Sequence, residues 1–345
     1  VVIVETREHG PNILHELERL AQVCDSGTKV IVIGGVNDIE LYREMIRQGV
    51  NEYLVAPLSP LQVIEAISGL YNDSSAPPIG KVFAFVGARG GVGASTVAHN
   101  VAWSIGQDQQ IATTILDLDI AFGTAGLNFN QDMNQGIAEA LASPERLDDM
   151  LLDRLLVKHT GHLNLFVSPA QLDRENEITP EAIETVVEVV RQTVPCVVLD
   201  IPHIWAPWVK HALAAADEII ITANPDLSSL RNGKNIFDLL NTARPNDHQV
   251  KVVLNQVGVP RRPEIPVKDF GEAMGAAPEM VIPFDPVLFA TAANNGQMVC
   301  ELNPQARASQ CFRDLAQRLT GRAPKVEVKQ SRGLSFDFLK RKKAG

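Results

Sequence analysis

The stretch Lys81-Val82-Phe83-Ala84-Phe85-Val86-Gly87-Ala88-Arg89-Gly90-Gly91-Val92-Gly93-Ala94-Ser95-Thr96 holds an apolar run, a glycine-rich turn and the start of a helical pattern. The continuous run from Val82 to Val86 predicts a strand covered on both faces rather than one. The glycines let the backbone curl so that successive N–H groups face a single anion. A helix N-terminus directly behind the turn adds a partial positive charge. Strand, glycine turn and helix in this order read as a phosphate-binding loop, with Ser95 where the loop hydroxyl ligates Mg²⁺.

Further apolar runs at 112–116, 163–167, 196–199, 218–222 and 250–254 predict strands, and 94–106, 180–192 and 228–241 predict helices. The alternation implies a doubly wound α/β domain with a parallel sheet. Ahead of it, runs at 1–4, 29–33 and 52–55 alternate with helical patterns at about 10–24, 38–48 and 60–71. The polar, proline-bearing Asn72-Asp73-Ser74-Ser75-Ala76-Pro77-Pro78 has linker composition. The expected division is a front α/β domain over 1–72, a linker over 73–80, a nucleotide-binding domain over 81–324 and a basic tail over 325–345.

The chain has 345 residues, 45% hydrophobic and 21% charged, the balance of a packed globular protein. A net charge of −10 argues against a whole-surface nucleic-acid binder, though not against a local basic patch. Cys24, Cys196, Cys300 and Cys311 make no Cys-x-x-Cys pair, so a zinc site or disulfide framework is not expected and a reducing, cytoplasmic setting fits. No run approaches the length of a transmembrane helix. The chain opens on Val1 without an initiator Met, and an upstream segment is expected.

The loop resembles the deviant phosphate loop of the MinD/ParA family, which reads K-G-G-x-G-K-[ST]. The early signature lysine falls on Arg89, which keeps the charge. The second lysine falls on Ala94, which loses it. A charge-assisted bond to the β/γ phosphates, about 1.5–3 kcal/mol, is thereby absent. ATP binding through the backbone of Arg89, Gly90, Gly91, Val92, Gly93, Ala94, Ser95 and Thr96 is expected to survive, and hydrolysis to be slow or absent.

Other segments resemble the same family in order and spacing across roughly 81–320. Ile115-Leu116-Asp117-Leu118-Asp119 carries two strand-end carboxylates, and the resemblance makes Asp119 the catalytic one. Val197-Val198-Leu199-Asp200 looks like a Walker B strand, with Asp200 orienting the Mg²⁺ water shell. Asn224 to Arg231 resembles the segment before a helix. The resemblance places Asn255 on the adenine and implies a loop from Ile282 through Pro283 and Asp285 to Ala290 that closes over it. It also implies an ATP-dependent homodimer in which Arg89 reaches a phosphate across the interface.

The first 70 residues resemble the latter part of a response-regulator receiver domain. Its phosphoacceptor falls on Glu5, its hydroxyl position on Gly34, and its Lys-Pro on Ala56-Pro57, so no phosphoryl transfer to this domain is expected. A degenerate receiver joined to a MinD-like domain without the second lysine resembles the CpaE/TadZ pilus-assembly proteins. That resemblance implies a scaffold for the type IVb (Flp/Tad) pilus machine, with the assembly ATPase or inner-membrane platform as partner, at the inner membrane near a cell pole. A MinD-like membrane-cycling ATPase is the rival reading. A ParA-like DNA-partitioning ATPase is disfavoured by the charge and the front domain. In the tail, Leu334, Phe336, Phe338 and Leu339 precede Lys340-Arg341-Lys342-Lys343. Such a segment suits an anionic membrane at about 1 kcal/mol per basic residue, or a protein partner through the same apolar side chains.

Overall fold

The computed structural model describes all residues except 7–10, 22, 25–27, 37, 72–78, 132–135, 168, 170–177, 246, 248–249 and 323–345. The expected linker lies largely outside the described residues, and the expected tail entirely so. The chain forms two compact units, Val1–Pro77 and Pro78–Gly345.

In the first unit, β1 (Val2–Glu5), α1 (Pro11–Ala21), β2 (Val30–Gly34), α2 (Ile39–Arg47), β3 (Glu52–Val55) and α3 (Pro60–Tyr71) alternate as the sequence predicts. The strands pair in parallel in the order β1-β2-β3. Ile13, Leu17, Val32, Met45, Val50 and Tyr53 form the core. Parallel pairing gathers Glu5, Gly34 and Ala56-Pro57 at the same ends of neighbouring strands. The Tyr53 ring packs on Gly34, and its hydroxyl donates to the Val36 carbonyl at 2.8 Å. A side chain at position 34 would collide with that ring.

The second unit runs β4 (Lys81–Gly87), α4 (Ala94–Gln107), β5 (Thr113–Asp117), α5 (Ala125–Asn128), α6 (Ile137–Ala142), α7 (Asp149–Leu155), β6 (Val157–Lys158) and β7 (Leu163–Phe166). It continues through α8 (Pro180–Thr193), β8 (Cys196–Ile201), α9 (Pro207–Ala215), β9 (Glu218–Ala223), α10 (Leu227–Ala243), β10 (Lys251–Val257), α11 (Val267–Met274) and β11 (Met280–Pro283). It closes with α12 (Pro286–Asn295), α13 (Val299–Leu302) and α14 (Arg307–Thr320). One sheet runs β11-β10-β9-β4-β8-β5-β7-β6, parallel except for the β6/β7 pair.

The period-2 side-chain alternation of β4 explains its unbroken apolar run. Val82, Ala84 and Val86 face one core, shared with α8, α9 and α10. Phe83 and Phe85 face the other, shared with α4 and α14. From β4 the chain moves outward to β5, then returns through β8 and crosses β4 to reach β9. This reversal opens a crevice at the carboxyl ends of β4, β5, β8 and β9, where ligands bind in such sheets.

Two details differ from the sequence reading. The segment 282–290, expected as a loop, is the end of β11 and the first half of α12, with Asp285 capping the helix by accepting from the Leu288 N–H at 3.0 Å. The short β6 and β11 and the small helices α5 and α13 lack enough length for a periodic signal.

Gly80 donates to the Arg191 carbonyl at 2.7 Å as the chain enters β4. A Cβ there would run into the carbonyl oxygen of Val194, which is backbone and cannot rotate away. Gly80→Ala should therefore destabilise the fold by about 1–3 kcal/mol. Urea unfolding should show a lower midpoint with an unchanged slope.

Candidate functional site

The phosphate loop leaves β4 at Gly87 and enters α4 at Ala94. Gly93, the residue before the helix, has φ 86 and ψ 32, a left-handed conformation that suits glycine. No side chain caps the first turn of α4, so its N-terminal dipole is open to an anion. Three strand ends pin the loop from behind. Ala88 donates to the Thr222 carbonyl at 2.8 Å, and the Asn255 side-chain amide donates to the Val92 carbonyl at 2.8 Å. His203 Nδ1 sits 3.0 Å from the Gly87 carbonyl.

Two clefts meet at this loop. The wider, about 720 Å³, is lined by Arg89 to Ser95, Asp119, Phe122, Ile204 and Trp208 among others. The narrower, about 190 Å³, is lined by Gly93, Thr96, Asn255, Gln256, Pro283, Asp285 and Phe289. The structure thus brings the loop together with Asp119 on one side, and with Asn255, Pro283 and Asp285 on the other. The narrow cleft matches a planar base in having proline and phenylalanine walls and amide groups at one edge. Asn255 also serves the loop: its amide already bonds Val92, and a Cβ on Gly93 would meet that amide nitrogen at 2.5 Å.

Ser95 Oγ donates to Asp200 Oδ1 at 3.1 Å, the hydroxyl–carboxylate pairing that a nucleotide-bound Mg²⁺ needs. The donor set at the mouth of the loop therefore fits Mg²⁺. Arg89 Nη2 is held 2.8 Å from Asp226 Oδ2, and Asp226 in turn caps α10 by accepting from the Ser229 N–H at 2.8 Å. Burial opposes the charge on Asp226, but Arg89 and Ser229 outweigh it and hold its carboxyl below the usual range. Asp119 Oδ1 accepts from the Phe122 N–H at 3.0 Å, which orders the turn that carries it into the wide cleft.

His99 and the role of Asp117 escaped the sequence reading. Asp117 and Asp200 are register partners on β5 and β8, and both are buried. His99, one turn beyond Ser95 on α4, is fully buried with Nε2 3.0 Å from Asp200 Oδ2. Burial works against a charged His99, but Asp200 and then Asp117 prevail and raise its pKa. The i, i+4 spacing of Ser95 and His99 was the available signal, since it puts both on one helix face.

Asp117 is pushed up to about 7, first by burial and then by Asp200. Two backbone N–H groups partly offset this, Asp119 N at 3.1 Å from Oδ1 and Ala125 N at 3.0 Å from Oδ2. A carboxyl whose folded pKa lies above its unfolded 3.8 binds more protons in the native state between the two values. Its contribution is full below the lower value and is lost as pH rises through the upper. Unfolding of wild type and Asp117→Asn should be compared from pH 4 to pH 8. The difference should move in the variant's favour up to about pH 7, the raised value, and then level off. A flat difference would show that Asp117 carries no such charge penalty.

A family model described as an AAA domain matches residues 80–252. The septum site-determining protein MinD of Escherichia coli is 26% identical over 252 residues, covering 70% of this chain and 91% of that protein. The crystal structure of a ParA family ATPase from Chlorobium tepidum superimposes with a TM-score of 0.63 at 25% identity, covering 68% of this chain and 98% of that one. MinD from Pyrococcus horikoshii, solved with Mg-ADP, shares the fold at 19% identity and a TM-score of 0.61, covering 70% of this chain and 96% of that one. The glycine loop, the parallel sheet and these matches agree: the chain belongs to the AAA-domain family so matched and to the MinD/ParA superfamily.

Proposed function

We propose that this protein is an ATP-binding, nucleotide-dependent dimeric scaffold for type IVb pilus assembly, with slow or absent hydrolysis. The observation that carries the reading is a complete loop frame with Ala94 at its lysine position. The backbone of residues 89–96 cradles the phosphates, and the narrow cleft beside Asn255, Pro283 and Asp285 takes the adenine. Ser95 and Asp200 hold Mg²⁺, which supplies charge neutralisation to the phosphates when bound. Asp119 orients a water in the wide cleft. Without a lysine at 94, charge developing on the transferred phosphoryl group is undercompensated, which favours a long-lived ATP state.

The pilus reading rests on the pairing of this loop with the front unit. There Gly34 and Ala56 stand where a receiver needs a hydroxyl and a lysine, and Tyr53 fills the space over Gly34. Pilus-machine proteins at the inner membrane are the proposed partners. The MinD-like reading, a membrane-cycling ATPase, is favoured instead by the names of the curated relatives. Among the described residues no helix is long and apolar enough to cross a membrane.

Gly93→Val places a branched side chain on a left-handed residue against Asn255. Calorimetry with ATP and Mg²⁺ should show binding lost in this variant and present in wild type. Equal affinity would remove the loop from the site.

Arg89 must leave Asp226 to reach a nucleotide on a second subunit. The fork of donors on Arg suits a phosphate as well as it suits a carboxylate. Sedimentation should show an ATP-dependent dimer in wild type and a weaker one in Arg89→Ala. An Arg89→Ala dimer as tight as wild type would confine Arg89 to its own subunit.

A further inference from the structure

His99 Nε2 and one carboxylate oxygen each from Asp117 and Asp200 converge within 4.8 Å of one another. All three residues are buried, and His99 is completely so. Nε2 lies 3.0 Å from Asp200 Oδ2. Among the described residues, His99 is the one basic side chain in ion-pair contact with either carboxylate. Alanine at position 94 brings no further cation to the pair.

We propose that His99, Asp117 and Asp200 form a protein-only site for a borderline divalent cation of the Mn²⁺, Co²⁺ or Zn²⁺ class, filled without nucleotide. One imidazole nitrogen and two carboxylates suit such ions, whereas Mg²⁺ and Ca²⁺ favour all-oxygen sets. The ligands stand on α4, β5 and β8, so they are held by regular elements rather than loops. The Asn128 side-chain amide lies 3.1 Å from Nδ1. Its two ends exchange by a flip, which lets the amide oxygen accept from Nδ1–H, so that Nε2 ligates the ion once its proton, favoured by the two carboxylates in the empty site, is released to solvent. Metal-bound imidazoles usually have such an outer partner. A dication also neutralises two like charges that the fold has buried side by side.

The entry path is short. Ser95 lines the wide cleft and bonds Asp200, which links the cluster to that cleft. The proposed ion shares only Asp200 with the nucleotide-bound Mg²⁺ of the reading above and does not depend on that reading.

The test is a titration of the chelator-stripped, nucleotide-free full chain with Co²⁺, followed by visible absorption, with Zn²⁺ calorimetry in parallel. One Co²⁺ per chain is expected, with its band retained in a large excess of Mg²⁺. His99→Gln and Asp117→Asn should abolish the band, and Asn128→Ala should weaken binding about tenfold. Retained far-UV circular dichroism and cooperative unfolding of the metal-free variants separate lost ligation from lost fold, since Asp117→Asn by itself shifts the melting temperature. Should His99→Gln fail to fold, the Asn128→Ala shift decides. No stoichiometric binding, binding that survives His99→Gln, or binding that appears only with added nucleotide would each overturn the site. Because the titration contains no nucleotide, its failure leaves the ATP reading standing, and failure of ATP binding leaves the metal result standing.

Discussion

Asp117 and Asp200 lie side by side at the ends of two adjacent buried strands, and the chemistry of the cleft is arranged around that repulsion. Parallel pairing of β5 and β8 in register leaves no freedom to separate them. Two unpaired charges at this depth would cost several kcal/mol each, so the surroundings must supply protons, hydrogen bonds or cations. The fold supplies some of each. Two backbone N–H groups bond Asp117, the Ser95 hydroxyl bonds Asp200, and His99 shares positive charge with both. Proton uptake by Asp117 completes the compensation near neutrality. In a MinD/ParA-like loop with lysine at position 94, a permanent cation would stand close by. Here an alanine does, and a titratable imidazole on the next turn of the same helix stands in contact with Asp200.

The phosphate loop is built on different terms. Its shape depends on left-handed Gly91 and Gly93 and on three pins from behind, namely Thr222, Asn255 and His203. None of those supports involves the side chain at position 94. Losing the lysine therefore removes charge from the cleft without removing the cradle. The shape of the loop and the charge within it thus rest on separable parts, the first on the glycines and their backbone and the second on the side chains around it.

Much of this was legible in the sequence because it is periodic or because glycine punctuates it. The run Val82–Val86 is apolar at every position since the sheet is covered on both faces, and that pattern alone predicts parallel strands. Ser95, Asp200, Asp119, Asn255 and Pro283 were singled out through motif order, and they lie around one loop. What the sequence hid is nonlocal. Asn255, expected on the adenine, also supports the phosphate loop, because its amide reaches Val92 across 163 positions of chain. The Arg89–Asp226 pair joins residues 137 apart. His99 lies in the predicted helix over 94–106 without a motif to mark it, and only the register of β5 against β8 shows that two carboxylates lie beside it. The loop expected over 282–290 failed for a local reason. Asp285-Pro286 is a helix start, with an acceptor at the cap and proline in the first turn.

The front unit follows the same structural logic. Parallel strands again bring their ends together, here Glu5, Gly34 and the segment after Val55. At the centre of that cluster a phenol occupies the space that a side chain at position 34 would need, and its hydroxyl is already committed to the Val36 carbonyl. Freeing that space would expose a buried ring and break a hydrogen bond, so the filled arrangement is the stable one. The two units thus share one device: strand ends gathered by parallel pairing, packed over by Tyr53 in the first and turned into a glycine loop at Gly87 in the second.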